Sequence, residues 1–273
     1  TNMCWAYGVC SNLTGSPVVG NKVTDMSSAY RSCSKLTGSP VFGPNVTNIE
    51  GAYEECRNLK GNPICPSTVT SMSGLYYNCC NLTGSPVCGT NITNMKSAYY
   101  SCWRLTGSAA CGAKVTDMAY AYAYCNNIST AVCGSNVTNM YKMFQSTGQN
   151  SLSLVLDVSN FDTSKVTDMS SMFRCTGFNS EVFTLDVSNF DTSNVTDMSN
   201  MFNGAGYNST KLNTSITIKN PNVTYYDEMF SAVATKTGSK ITVNYTSATS
   251  SLVDQMIATK SADSNVVKGV QVD

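Results

Sequence analysis

The groups in this chain best suited to chemistry are thiols, carboxylates and aromatic rings; imidazole is missing, with 13 Cys and no His in 273 residues. Cys10, Cys33, Cys56, Cys79, Cys102 and Cys125 recur at a constant spacing of 23, and Cys65, Cys88, Cys111 and Cys133 form a second column. So many thiols suggest a disulfide framework, a zinc site or a nucleophile, and their arrangement speaks against each. If equivalent residues sit on paired strands of adjacent rungs they lie about 4.7–4.9 Å apart, wider than the Cβ–Cβ distance of about 3.8 Å that a disulfide favours. Val19 and Phe42 fill the earlier places of the second column, so that column asks for an apolar group and not for a bond. Zinc sites use tight local pairs such as Cys-x-x-Cys, whereas Cys79 and Cys80 are merely adjacent. Without His, Ser-His and Cys-His nucleophiles in their usual form are excluded. The two columns are therefore expected to be structural: buried, mostly reduced thiols that pack as small hydrophobes. No metal, cofactor or catalytic residue is expected, and the chain does not read as an enzyme.

The carboxylates Asp157, Asp162, Asp186 and Asp191 recur in pairs and raise the question of calcium, which needs several oxygens converging on one turn. Their placing suits turn formation and capping better. Asn-X-Ser/Thr triplets at Asn45, Asn91, Asn136, Asn194 and Asn222 arise where one repeat ends in Asn and the next begins with Val-Thr or Ile-Thr. They are read as repeat grammar. The rings leave two readings open. Tyr77, Tyr100, Trp103, Tyr120 and Tyr124 occupy positions that vary from repeat to repeat, where aromatics serve as binding anchors or lie flat and seal the face.

The element that positions all of these is the stretch Val23–Asn45, which returns at Val46, Val69, Ile92 and Val115, after an incomplete copy at Thr1–Lys22. A fixed period of this length indicates a solenoid, in which each unit buries its apolar face only by stacking on its neighbours. Within the unit Met26, Ala29, Tyr30 and Cys33 fall at i, i+3, i+4 and i+7, the stripe of a short helix. Asp25 precedes it, and Asn48, Ser71, Asn94, Asp117, Asn139, Asp168 and Asp197 hold the same place, all good N-caps. Leu36 and a Gly-Ser-Pro turn follow. Pro17, Pro40, Pro63 and Pro86 stack in column, and proline cannot donate to a ladder, so strands in this half are expected to be short or irregular.

From Val137 the Tyr column becomes Phe144, Phe173, Phe202 and Phe230, and Met143, Met172, Met201 and Met229 precede them. Alternation at Leu154, Leu156, Val158 and at Phe183, Leu185, Val187 predicts regular strands there. The chain divides into Cys-containing repeats over 1–136, longer Met-Phe repeats over 137–245 and a cap over 246–273. That cap carries an amphipathic helix at 251–258 and a last extended piece at Val267–Val272. The expected fold class is an α/β repeat solenoid, with a parallel sheet on one side and short helices on the other.

The Ala29-Tyr30, Cys33, Leu36 pattern resembles the 23-residue leucine-rich repeat of BspA-like surface proteins, and Asp191–Phe202 resembles the Asp-Thr-Ser-Asn-Val-Thr-Asp-Met-Ser-x-Met-Phe string of its bacterial surface-protein variant. The resemblance implies a leucine-rich-repeat-like solenoid on a bacterial or phage surface, often in adhesion, with no catalytic residues to carry over. The Gly-Ser-Pro-Val order departs from the family's strand, and no cell-wall anchor is visible.

Composition narrows the range of partners. Charged residues make up 12% and the net charge is zero, which gives no electrostatic reason to expect nucleic acid or an anionic membrane as partner. No apolar run approaches the roughly 18–20 residues that span a bilayer. Thr1 aligns with Thr24, so a processed or truncated chain with more protein upstream is expected. The function expected is a surface-displayed, extracellular or virion-surface binding and adhesion module, whose partner is a host or neighbouring-cell surface protein or glycan. The alternative is a structural subunit of a phage-like or filamentous assembly, packing against copies of itself. Recognition is expected on the helix side, whose residues vary from repeat to repeat, centred on Tyr77, Tyr100 and Trp103 with Tyr120 and Tyr124 at its border.

Overall fold

A computed structural model describes residues 1–109 and 111–273. One repeat shows how it is built. Asp25 pairs in parallel with Asn2 before it and Asn48 after it. Its Oδ1 accepts the Ser27 N–H at 2.9 Å and the Ser27 hydroxyl at 2.7 Å, opening a turn. From there the backbone donors alternate. The N–H groups of Met26, Ser28, Tyr30 and Ser32 reach forward to the carbonyls of Asn48, Glu50, Ala52 and Glu54 on the next rung, at 2.8, 2.8, 2.9 and 2.7 Å. Those between them, on Ala29, Arg31 and Cys33, donate back three residues to Met26, Ser28 and Tyr30. The result is a staircase of turns stitched to the following rung.

This corrects the expected helices. An α-helix closes every N–H onto the fourth residue back, and here half of them leave the segment altogether. Ser28 and Ser32 have φ of +52° and +61°, a left-handed conformation that recurs every fourth residue and that no right-handed helix contains. The inward stripe Met26, Ala29, Tyr30, Cys33 is buried as expected, because the staircase turns its side chains inward at the same spacing. The expected caps also work, each side-chain oxygen accepting the N–H two residues on, as Asp117 does from Ala119 and Asp168 from Ser170. They cap turns. Among the described residues the one α-helix is α1, Ser250–Ile257.

The other side changes character along the chain. Strands begin with β1 (Thr106–Ala109) and β2 (Asn127–Ala131), then β3 (Ser153–Leu156) with β4 (Val182–Leu185), and β5 (Asn213–Ile218), β6 (Lys240–Tyr245) and β7 (Val266–Gln271). All pair in parallel. Before Thr106 there are only isolated bridges such as Gly15 with Leu36. There the proline column breaks the ladder and a side chain replaces it. The Tyr30 hydroxyl donates to the Val18 carbonyl at 2.6 Å and accepts the Val18 N–H at 3.0 Å. Tyr53 does the same for Val41, Tyr76 for Ile64 and Tyr99 for Val87. Where β3–β7 satisfy their own backbone, the column switches to Phe.

These rings form one stack through the core. Tyr7, Tyr30, Tyr53, Tyr76, Tyr99 and Tyr122 lie parallel at 5.1–6.1 Å, and Phe144, Phe173, Phe202 and Phe230 continue the stack at 5.8–6.1 Å. Beside it runs the first cysteine column. The thiols of Cys33, Cys56, Cys79, Cys102 and Cys125 donate to the carbonyls of Tyr7, Tyr30, Tyr53, Tyr76 and Tyr99 at 2.9–3.1 Å. Thr147 and Thr176 then take over, donating to Tyr122 and Phe144 at 2.9 and 2.7 Å. These cysteines are therefore hydrogen-bond donors as well as small hydrophobes.

All 13 cysteines are free; Cys33, Cys56, Cys79, Cys102, Cys125 and Cys133 are buried. Burial was expected of the whole of both columns, but Cys65, Cys88 and Cys111 are half-buried, since they sit in loops at the edge of the core and not inside the ring stack. Cys10 is exposed, with no earlier rung among the described residues packed against it. At the other end the last staircase rung is closed by hydroxyls. Phe230 and Ala232 donate their N–H groups to Thr259 Oγ1 and Ser261 Oγ, at 3.3 and 2.9 Å, just after α1.

Candidate ligand-binding face

One column of the staircase, a residue after each core ring, runs Arg31, Glu54, Tyr77, Tyr100, Ala123. Its chemistry follows directly from neighbours one rung apart. Arg31 and Glu54 form an ion pair at 2.9 Å, and Tyr77 and Tyr100 stack face to face at 4.5 Å and 2°. Ala123 ends the column. Into the room it leaves come two rings from its own rung, Tyr120 and Tyr124, at 6.1 and 5.2 Å from Tyr100. Both stand at left-handed positions, with φ of +59° and +61°. Equivalent places hold Ser97 and Ser101 one rung earlier, so this rung puts large rings where its neighbour has hydroxyls.

The cluster continues into the next rung. Tyr141 meets Tyr120 edge to face at 5.1 Å. The Lys142 ammonium lies 5.2 Å from the Tyr120 ring centre and 4.8 Å from that of Tyr141. It also donates to the Tyr120 hydroxyl at 3.3 Å, and Gln145 Nε2 donates to the Tyr124 hydroxyl at 3.3 Å. Burial raises the Tyr100 phenol above its ordinary range, with the neighbouring Tyr124 and Tyr77 adding to the effect. The Lys142 ammonium, donating to the phenol, holds Tyr141 below its ordinary range.

The five expected residues thus divide. Tyr77, Tyr100, Tyr120 and Tyr124 interlock and are half-buried, while Trp103 stands at their rim, 49% exposed. Trp103 shares with Tyr124 a cleft of about 230 Å³, completed by Asn126, Ser146, Gln149 and Asn150. Tyr141, Lys142 and the four polar residues of the cleft were missed by the sequence reading. The available signal was positional: Asn126 is the Trp103 column one rung on. A wider hollow of about 820 Å³ lies earlier on this face and is lined by Ser32, Ser34, Lys35, Glu55, Arg57 and Asn58, with no ring among them.

The acidic pairs are engaged in their own turns. Asp162 and Asp191 accept from the amides and hydroxyls of Ser164 and Ser193, which lowers their carboxyl pKa values. Among the described residues no group of three or more Cys, Asp or Glu is placed to hold a metal ion. No helix there is long and apolar enough to cross a membrane. The Asn-X-Thr amides are structural, since Asn45, Asn91, Asn136 and Asn194 each donate to a carbonyl of the preceding rung at 2.6–3.0 Å.

A family model described as Mycoplasma protein of unknown function, DUF285, matches residues 93–183 and 138–267. The chain belongs to this family. The DUF285 matches begin in the last Cys-containing repeats, run through both Asp-Thr-Ser turns and reach past α1. A solved leucine-rich cell surface protein from Faecalibacterium prausnitzii A2-165 is 16% identical over 95% of this chain and 79% of its own, with a TM-score of 0.39. No curated protein matches the chain.

Proposed function

We propose that the chain is a non-enzymatic binding and adhesion module displayed on a bacterial or phage surface, and that it recognises its ligand on the staircase face beside Trp103. The observation that supports this best is an exposed indole at the edge of four interlocked tyrosines. Tryptophan and tyrosine dominate the residues whose truncation weakens complexes. Rings already fixed by their neighbours lose little freedom when a ligand arrives. The likeness of Asp191–Phe202 to repeats of bacterial surface proteins supports the location. The partner is a surface protein or glycan of a host or neighbouring cell.

The test compares binding of the labelled chain and its Trp103→Ala variant to intact host and bacterial cells. The variant is expected to bind poorly at an unchanged melting temperature. Equal binding by the two proteins overturns the reading.

A further inference from the structure

The cleft beside Trp103 has no charged side chain in its lining. Two of its walls are aromatic, and the rest are three carboxamides and a serine. At about 230 Å³ it falls below the roughly 300 Å³ at which pockets for drug-sized ligands begin, so it suits one ring of a longer ligand. The side-chain amides of Asn126 and Gln149 make no hydrogen bond among the described residues and are not among the buried atoms left without a partner, so they are open to solvent.

The same chemistry continues along the axis. Asn179 Nδ2 donates to Asn150 Oδ1 at 3.0 Å, and Asn208 Nδ2 donates to Asn179 Oδ1 at 3.3 Å. In the adjacent column Phe178 and Tyr207 stack at 4.8 Å and 5°. A stripe pairing rings with amides therefore leads away from the cleft, one step per rung.

We infer that this stripe binds a neutral oligosaccharide, with one sugar ring in the cleft against Trp103 and the following rings over the Asn150, Asn179 and Asn208 column. A pyranose has an apolar C–H face suited to an indole, and hydroxyls at its edge that both donate and accept. Carboxamides offer both functions in return. A phosphate, a sulfated or acidic sugar, or an acidic peptide calls for Arg or Lys, and the cleft lining holds neither. This inference rests on the surface-binding reading and names its ligand.

Trp103 is one of two tryptophans, the other being Trp5, so in a Trp5→Phe background its fluorescence reports the cleft alone. That protein is titrated with neutral oligosaccharides of glucose, mannose, galactose, xylose and N-acetylglucosamine, from single sugars upward, with sialylated and sulfated chains as the counter-set. The expected result is a saturable shift with at least one neutral series and an affinity that rises with chain length. By calorimetry Trp103→Ala is expected to weaken binding about thirtyfold, equivalent to about 2 kcal/mol. Asn150→Ala is expected to reduce the gain from longer chains. No shift with any neutral sugar, a response confined to anionic chains, or full affinity in Trp103→Ala each overturns the inference. Loss of cell binding in Trp103→Ala with no neutral sugar bound discards the sugar and keeps the surface-binding reading, with a protein as ligand. Sugar binding at Trp103 with cell binding unaffected by its loss does the reverse.

Discussion

The hydroxyl of Tyr53 donates to the Val41 carbonyl at 2.6 Å and accepts the Val41 N–H at 3.0 Å, so one phenol stands in for a missing strand partner. The proline before Val41 stops a regular ladder from forming, and the core ring supplies both halves of the lost pairing. Tyr53→Phe removes both bonds at a part-buried site where Val41 is itself exposed, so each is expected to contribute about 0.5–1.5 kcal/mol. Chemical denaturation is expected to show a loss of that order. Tyr7→Phe, at an exposed ring of the same stack, is expected to cost little. Equal effects at the two sites would count against the hydroxyl's role.

The first cysteine column makes a prediction by substitution. Threonine already does the same work at Thr147 and Thr176. Cys79→Thr should keep the bond to the Tyr53 carbonyl, whereas Cys79→Val removes the donor at similar volume. Comparing denaturation midpoints, the valine variant is expected to be less stable than the threonine variant by about 1 kcal/mol.

These thiols also set an alkaline limit. Burial pushes the Cys125 thiol up to about 12 from an ordinary 9.0, and raises Cys56, Cys79 and Cys102 as well. The folded state holds these protons where the unfolded state releases them. Their contribution is complete below the unfolded value near pH 9 and is lost as pH rises toward about 12. Each such thiol subtracts about 1.4 kcal/mol per pH unit inside that window. Melting temperature against pH is expected to fall steeply above about 9, and a Cys125→Thr variant is expected to fall less steeply.

Backbone conformation on the staircase is testable at Gly74. Its φ is +61° and a Cβ there would meet its nearest neighbour at 3.8 Å, ordinary contact. Gly74→Ala therefore carries only the left-handed penalty, about 1–2 kcal/mol. Ser97→Gly, at φ +55° in the same column, is expected to gain a similar amount. Urea midpoints moving in opposite directions for the two variants would bear this out.

Binding and packing separate at the aromatic face. Trp103→Ala is expected to leave the melting temperature unchanged, because the ring is at the rim. Tyr100→Ala removes contacts to Tyr77, Tyr120 and Tyr124 at once, and thermal melts are expected to show a drop of several degrees. A Tyr100→Ala protein as stable as the parent would mean that the cluster contributes no packing.

The repeat, its inward columns and the shift to regular strands were legible because stacking fixes them residue by residue. Met26, Ala29, Tyr30 and Cys33 point inward in either a helix or a turn staircase, so their spacing could not choose between the two. What chooses is the left-handed residue every fourth position. Gly51, Gly74 and Ser97 hint at it, but Glu55, Tyr120, Tyr124 and Lys142 occupy the same places and hide it. The aromatic cluster was visible as residue types. Its division into a packed core and an exposed rim was not, because it depends on Ala123 ending a column one rung further on.

The staircase hydrogen bonds have a direction. From Met3 onward, rung after rung, its N–H groups point toward the later repeats and the carbonyls they meet point back. Peptide dipoles aligned in this way add, as they do along a helix axis, so this face acts as one extended dipole with its positive pole at the last rung. Thr259 and Ser261 turn lone pairs onto that pole, the electrostatic task that a Ser or Thr N-cap performs for a single helix. The C-terminal segment thereby ends an electric field as well as a hydrophobic core.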